Sequence, residues 1–142
     1  MDAIIYLRKQ HSQFRSTFKA INKTKDSKIK LSKFNALCKE LVRHEKMEQK
    51  AWYPVLRKNK DLNKVIKHLL SEERSAAKAI KNFKKIEFGL IWRLKFIKFH
   101  RDVDHHAKEE EKNLFPTVRK IFTKNELNKL GIKMKKFKAS LK

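Results

Sequence analysis

The sequence predicts an all-α protein, an up-down-up-down four-helix bundle with a short C-terminal fifth helix. Apolar residues recur every three or four positions through most of the chain, which is the period of an amphipathic helix. Glycine and proline occur only twice each, too rarely for the turns of hairpins and sandwiches. Because 142 residues can close one hydrophobic core, we expect residues 1–142 to form a single domain.

The periodicity divides the chain into four long helices joined by short polar loops. These helices are predicted over residues 2–23, 30–58, 61–87 and 90–120. Asp61 is predicted to cap the third helix, because aspartate side chains accept hydrogen bonds from free amides at a helix start. Thr123 and Glu126 have the spacing of a capping box, which predicts the start of the terminal helix. Short loops make consecutive helices antiparallel.

Basic residues greatly outnumber acidic ones. The chain has 38 Lys and Arg against 15 Asp and Glu, a formal charge of +23, and the basic residues are spread over every segment. Such a composition is typical of proteins that bind nucleic acid or an anionic membrane surface. It is equally typical of helix surfaces that an AT-rich genome fills with lysine, so the charge leaves both interpretations open.

Cysteine usage and hydropathy indicate the compartment. Cys38 is the single cysteine of the sequence, which excludes an intrachain disulfide and a cysteine-built zinc site. No apolar run approaches the roughly 18 residues of a membrane span, and the first residues lack the pattern of a secretion signal. We therefore expect a soluble cytoplasmic protein, whose oligomeric state the sequence leaves open.

Each long apolar stripe switches to polar residues near the middle of its helix. The residues concerned are His11, His44, Glu48, Glu73, His106 and Glu110. Midpoints of antiparallel helices with short loops lie at one level, so these six side chains should converge inside the core. An ionised carboxylate left unpaired in an apolar interior is costly, so such groups are paired, protonated or bound to metal.

Four of these polar residues form two pairs with the spacing of a metal-binding element. Residues four apart share a helix face, so His44 with Glu48 can offer two ligands to one metal cluster, as can His106 with Glu110. Both pairs are followed by a proline at the same distance, in Tyr53-Pro54 and Phe115-Pro116. Imidazole and carboxylate ligands suit iron or manganese, and bundle cores hold two-metal sites of this kind.

The chain resembles the hemerythrin-like domains, also called HHE cation-binding domains, over essentially its whole length. The likeness rests on His11 with apolar residues three, seven and ten positions later, on both His-x-x-x-Glu elements, and on residues 126–131, which resemble the family's final short helix. The resemblance implies a non-haem di-iron centre that binds or reacts with dioxygen, peroxide or nitric oxide. It implies two iron ions bridged by the two glutamates and an oxo or hydroxo group, with manganese or zinc as alternatives.

The third helix departs from the family pattern, which usually places a histidine there. The position followed by apolar residues at the same three intervals is Glu73, which we predict as the sixth ligand. His68, more than one turn earlier and off the stripe, is an alternative ligand. A site with no ligand from this helix is the third alternative, since Arg74 could pair with Glu73.

A carboxylate at this position changes the expected chemistry. With Glu73 as a ligand, the site would hold three imidazoles and three carboxylates, and hard carboxylate oxygens favour ferric iron. We therefore expect redox or sensing chemistry, such as peroxide decomposition or a response to oxygen or nitric oxide, rather than oxygen transport. Whether the protein is an enzyme, of a peroxide-decomposing or oxidase type, stays open.

Other polar residues near the centre have different expected roles. His105 and Glu109 repeat the spacing one residue earlier, about 100° round the helix. They are expected in solvent, and the alternative is that they form the ligand pair of this helix. Glu45 and Glu111 adjoin ligand positions, where they would either orient an imidazole or remain surface charges. Tyr53 is expected to pack in the core.

Two rival functions are compatible with the same sequence. The charge would suit a basic module that binds nucleic acid or an anionic surface, although no docking motif is present and the aromatic residues fall mainly on the apolar stripes. The other rival is a metal-free structural bundle in which Arg74 pairs with Glu73.

Overall fold

Helices account for almost all of the computed structural model, which describes residues 1–141 and contains no β-strand within that range. The helices are α1 Ala3–Lys23, α2 Ser27–Met47, α3 Tyr53–Leu56, α4 Asn63–Phe83, α5 Leu90–Glu109, α6 Phe115–Ile121 and α7 Lys124–Ser140. The long helices α1, α2, α4 and α5 form the bundle, and α7 packs against α1 and α2. The predicted fold class is confirmed.

Side-chain caps determine where the first two helices begin. The Asp2 carboxylate accepts a hydrogen bond from the Ile5 amide at 2.8 Å, so α1 starts where the stripe predicts. Asp26 caps α2 in the same way. Because of that cap, α2 begins at Ser27, earlier than the predicted start at residue 30.

The caps of the later helices agree with the sequence in one case and differ in the other. The prediction of Asp61 as a cap is wrong: Asn59 accepts a hydrogen bond from the Asp61 amide and starts a 3-10 turn that leads into α4. The capping box of Thr123 and Glu126 is present at the start of α7. With 17 residues, α7 is longer than the short helix expected there.

A π-helical turn interrupts each helix that carries a His-x-x-x-Glu element. One turn, Glu48–Trp52, joins α2 to α3, and the other, Glu110–Leu114, joins α5 to α6. The Tyr53 amide donates to the Glu48 carbonyl five residues back, and Phe115 does the same to Glu110. The following proline lacks an amide and crowds the carbonyl four residues back, which favours a widened turn.

The hydrophobic core consists of two apolar clusters. One contains Ile4 and Trp52 and is closed by α7, while the other contains Phe18, Phe34 and Trp92. Along α1, α2 and α4 the buried positions belong first to one cluster and then to the other, and α5 with α6 follows the same order. The polar mid-helix residues lie between them. Within residues 1–141, every helix is too short or too polar to cross a bilayer.

The start of the chain packs closely against α7. A Cβ added at Gly131 would lie 2.5 Å from the carbonyl oxygen of Met1 and 2.9 Å from the amide nitrogen of Ala3. These neighbours are backbone atoms held by the start of α1, so they cannot move aside as a flexible side chain would. Only glycine fits this contact.

We expect Gly131→Ala to lower the free energy of unfolding by about 1–3 kcal/mol, because the overpacked methyl displaces backbone. This reverses the usual gain of up to about 1 kcal/mol when alanine replaces a helical glycine. Gly89→Ala is the control, since a Cβ there meets nothing within 4 Å. Urea denaturation, monitored by circular dichroism, measures the stability of both variants. Equal urea midpoints for the two variants would contradict the close packing at Gly131.

Candidate metal centre

In each of the three mid-helix histidines, Nε2 faces the centre of the bundle and Nδ1 makes a hydrogen bond on the opposite side of the ring. The outward contacts of Nδ1 are 2.8 Å for His11 to Glu111, 2.8 Å for His44 to Gln10 and 2.9 Å for His106 to Glu72. Each partner atom is a side-chain oxygen that accepts a hydrogen bond. Nδ1 therefore carries a proton, and Nε2 is the nitrogen that faces the centre, as in histidines that bind metals.

All six predicted residues lie in one layer of the bundle. Glu48 and Glu110 are 0% exposed and Glu73 is 1% exposed. The approaches of imidazole Nε2 to carboxylate oxygen are 3.1 Å for His44 to Glu48, 3.3 Å for His11 to Glu110 and 3.2 Å for His106 to Glu73. The structure thus brings the six groups together, while their role as ligands stays a prediction.

Several polar atoms in this layer have no hydrogen-bond partner among the described residues. They are Nε2 of His11, both carboxylate oxygens of Glu48, and Oε1 of Glu110. A buried polar atom without a partner costs about 1–3 kcal/mol and is rare in proteins. A cation between these atoms would satisfy them together, so the residues fit a metal site.

The donor atoms group into two sets of three. The sets are His11, His44 and Glu110, and Glu48, His106 and Glu110, with the donor atoms of each set within 4.8 Å of one another. Glu110 belongs to both sets, so its carboxylate would be a ligand common to both if each set held a cation. This arrangement resembles the carboxylate-bridged two-metal sites of helix bundles.

Glu73 lies beside these sets, 3.2 Å from His106 Nε2, and accepts hydrogen bonds from two further side chains. The Tyr53 hydroxyl lies 3.1 Å from Glu73 Oε2 and 3.2 Å from Glu110 Oε2, and Gln49 donates to Glu73 Oε1 at 3.0 Å. Tyr53 packs in the core as expected, but its hydroxyl also enters the site, which the sequence analysis missed. Only its place in the repeated segment before proline marks this residue in the sequence.

The alternatives for the third long helix lie outside the centre. The His68 side chain is 56% exposed, and its Nε2 lies 3.5 Å from Glu72. Arg74 is exposed, and no ion pair joins it to Glu73 in residues 1–141. His105 is in solvent as expected, 58% exposed and 3.3 Å from Glu109.

Burial and mutual charge shift the pKa values of the central groups in opposite directions. Burial raises the pKa of Glu48 well above its ordinary value, and the neighbouring carboxylates of Glu110 and Glu73 raise it further. Burial also acts on Glu110, but contacts with Glu48 and the histidines outweigh it and lower its pKa. Burial lowers the pKa of His44 to about 3, so its imidazole is neutral at pH 7 and able to coordinate a metal.

Comparison with known proteins identifies the family. The chain matches the model of the hemerythrin HHE cation-binding domain over residues 2–118. The chain belongs to this family. It is also similar to the crystal structure of an HHE cation-binding domain-containing protein from Mycobacterium kansasii, a homologue of Rv2633c, with a TM-score of 0.83 and 23% identity. That match covers 99% of this chain and 89% of the other, and at this identity it shows the fold alone. Comparison with curated proteins gave no match.

Outside the central layer of this HHE domain, Glu111 orients His11. Its carboxylate also accepts hydrogen bonds from Arg15 at 3.0 and 3.1 Å. The hydrogen bond with His11, together with Arg15, lowers the pKa of Glu111 to about 2, so it is ionised. Glu45, the other residue with two expected roles, orients no histidine; burial raises its pKa to about 9, and it lines a cavity beside the site.

That cavity connects the centre of the HHE domain with the surface. It has a volume of about 340 Å³ and reaches the three imidazoles at its inner end. Exposed Lys98 and Asp102 of α5 line its outer end. The cavity exists because the α4 side chains that line it are small; they include Ser75, Ala76 and Ala79. The cavity therefore extends from exposed residues to the imidazoles of the central layer.

We expect Glu72→Ala to weaken metal binding about 10- to 100-fold, because His106 loses the acceptor that fixes its ring. Glu109→Ala is the matched control, since it removes the same charge beside the exposed His105. Competition with a chelator measures the affinity of both variants. The orienting role would be refuted if the two variants bound metal equally well.

Proposed function

We propose that this HHE domain, formed by residues 1–142 as one unit, holds two iron ions. The proposed ligands are His11, His44, Glu48, Glu73, His106 and Glu110. The proposal rests chiefly on the two donor sets that share Glu110 and on the unpartnered buried atoms between them. Mixed imidazole and carboxylate donors favour iron, with manganese or zinc as the alternatives.

We further propose that the centre serves redox or sensing chemistry rather than oxygen transport. When bound, iron supplies reactivity toward peroxide, dioxygen or nitric oxide. The buried carboxylate of Glu73, in place of the histidine usual in this family, adds a hard negative donor that favours the ferric state. A cytoplasmic setting, expected from the single cysteine, stays a prediction.

The residues of this chain would support such chemistry in three ways. The oxygens of Glu111, Gln10 and Glu72 keep each imidazole in the orientation that aims Nε2 inward. The Tyr53 hydroxyl holds a proton between two carboxylates, and burial with neighbouring negative charge raises its pKa, so it remains a donor at neutral pH. The cavity would admit small reactants to the imidazoles, while the apolar clusters close the layer toward both ends of the bundle.

The rival functions have less support from this site. A metal-free bundle was expected to pair Arg74 with Glu73, and instead Arg74 is exposed while Glu73 bonds to Tyr53 and Gln49. A nucleic-acid-binding module explains the basic surface but gives no reason for the buried histidines and glutamates. Neither rival accounts for the unpartnered atoms at the centre.

We expect protein purified without oxygen to contain two irons per chain, and His106→Ala to lose most of this iron. The adjacent His105→Ala is the control, because that imidazole is exposed and should leave iron content unchanged. Elemental analysis with an absorption spectrum measures the outcome. Unchanged iron in the His106 variant, or equal loss in both, would overturn the assignment.

The redox role predicts that reduced, iron-loaded protein consumes dioxygen irreversibly. Glu73→His, which restores the histidine usual in this family, should slow the conversion to ferric iron because it removes a negative donor. Stopped-flow absorption measures the rate of conversion to ferric iron, and an oxygen electrode measures the consumption of dioxygen. Uptake of dioxygen by the unmodified protein and its intact release under argon would instead indicate transport.

A further inference from the structure

Helix α5 has two opposite apolar faces. One face is buried in the core through Trp92, Phe96 and Phe99. The opposite face carries four large aliphatic side chains that are 55–68% exposed: Leu90, Ile91, Leu94 and Ile97. At about 100° per residue these four occupy a sector of about 120° over two helical turns. We call these four residues the α5 stripe.

The α5 stripe is not explained by the packing of the bundle. Neither apolar cluster includes its residues, although α1 and α4 both contact α5. Nine large apolar side chains are exposed in residues 1–141, and four of them are the α5 stripe. Scattered apolar side chains are normal on a protein surface, whereas a contiguous group of this kind marks an interaction site.

Basic residues border the α5 stripe. Arg93, Lys95, Lys98 and Arg101 are all exposed on the same helix. The Arg93 guanidinium lies 5.2 Å from the ring centroid of Phe88, which holds it at the edge of the stripe. Lys84 and Lys85, just before α5, are exposed as well. Lys98 is paired with the exposed Asp102 at 2.6 Å, but the basic residues at this border outnumber the acidic ones. The surface therefore combines aliphatic groups with a net positive charge around them.

This combination favours one kind of partner. A second copy would face the same surface across a two-fold axis, and two chains of +23 would bring their cations together. Nucleic acid would neutralise the cations but leave the aliphatic groups of Leu94 and Ile97 in water, with no exposed aromatic ring in the stripe for base stacking. An anionic bilayer surface accommodates both the aliphatic and the basic side chains, because aliphatic groups enter the acyl boundary while lysine and arginine contact headgroups.

We propose that the α5 stripe docks this protein on anionic lipid bilayers, with α5 lying parallel to the membrane plane. The stripe would enter the headgroup boundary, and the bordering lysines and arginines would contact lipid phosphates. This association is peripheral, since no helix in the described part of the chain is long and apolar enough to span a bilayer. The docking is independent of whether the central layer binds iron.

The test is cosedimentation of the full chain with vesicles of phosphatidylcholine alone or mixed with phosphatidylglycerol. We expect binding to the mixed vesicles only, weakened by added salt. The variant Leu94→Gln with Ile97→Gln keeps the net charge, so it tests the aliphatic contribution alone. Its affinity should fall about tenfold or more, as expected from losing two inserted side chains.

The matched control is Ile5→Gln with Ile132→Gln, two side chains of similar exposure on α1 and α7. This control should bind vesicles like the unmodified chain, and circular dichroism should show that all variants are folded. Failure of the unmodified chain to bind the mixed vesicles, or full binding by the stripe variant, would overturn the proposal. So would ultracentrifugation that shows a dimer dissociated by the stripe variant, or duplex DNA binding that the stripe variant alone loses.

Discussion

The central constraint on this structure is that negatively charged side chains lie in the middle of an apolar bundle and require compensating partners. Glu48, Glu73 and Glu110 are removed from water, and a carboxylate so placed is tolerated only with compensating partners. Hydrogen bonds from Tyr53 and Gln49 compensate Glu73, whereas the oxygens of Glu48 have no hydrogen-bond partner within residues 1–141. The outer acceptors of the imidazoles follow from the same need, because they hold the rings where a cation would bind them.

Much of this layer could be predicted because it depends on short-range regularity. Residues four apart share a face whatever the surroundings, which places His106 above Glu110. The capping box of Thr123 and Glu126 is equally local, since both partners belong to one helical turn. Short loops then place the helix midpoints at one level, which brings residues from separate helices together.

The remaining features depend on contacts between distant segments. Gln10 and Glu72 reach histidines 34 residues away in the chain, and no periodicity reveals which side chains face each other across helices. The Tyr53 hydroxyl enters the site after a π turn, which changes the angular position of every later residue on that helix. Asp61 failed as a cap because Asn59, two residues earlier, already starts a tight turn.

Because the polar layer divides the core, the two ends of the bundle share little apolar contact. The long helices run through both ends and connect them. The polar layer between the ends contains carboxylates that repel one another and atoms without hydrogen-bond partners, so it contributes less stability than an apolar core would. A cation held by α1, α2 and α5 would link both ends and couple their unfolding. Metal supply would then set the cooperativity of unfolding: the loaded chain would open as one unit, whereas the metal-free chain would open locally at the central layer and expose it to proteases.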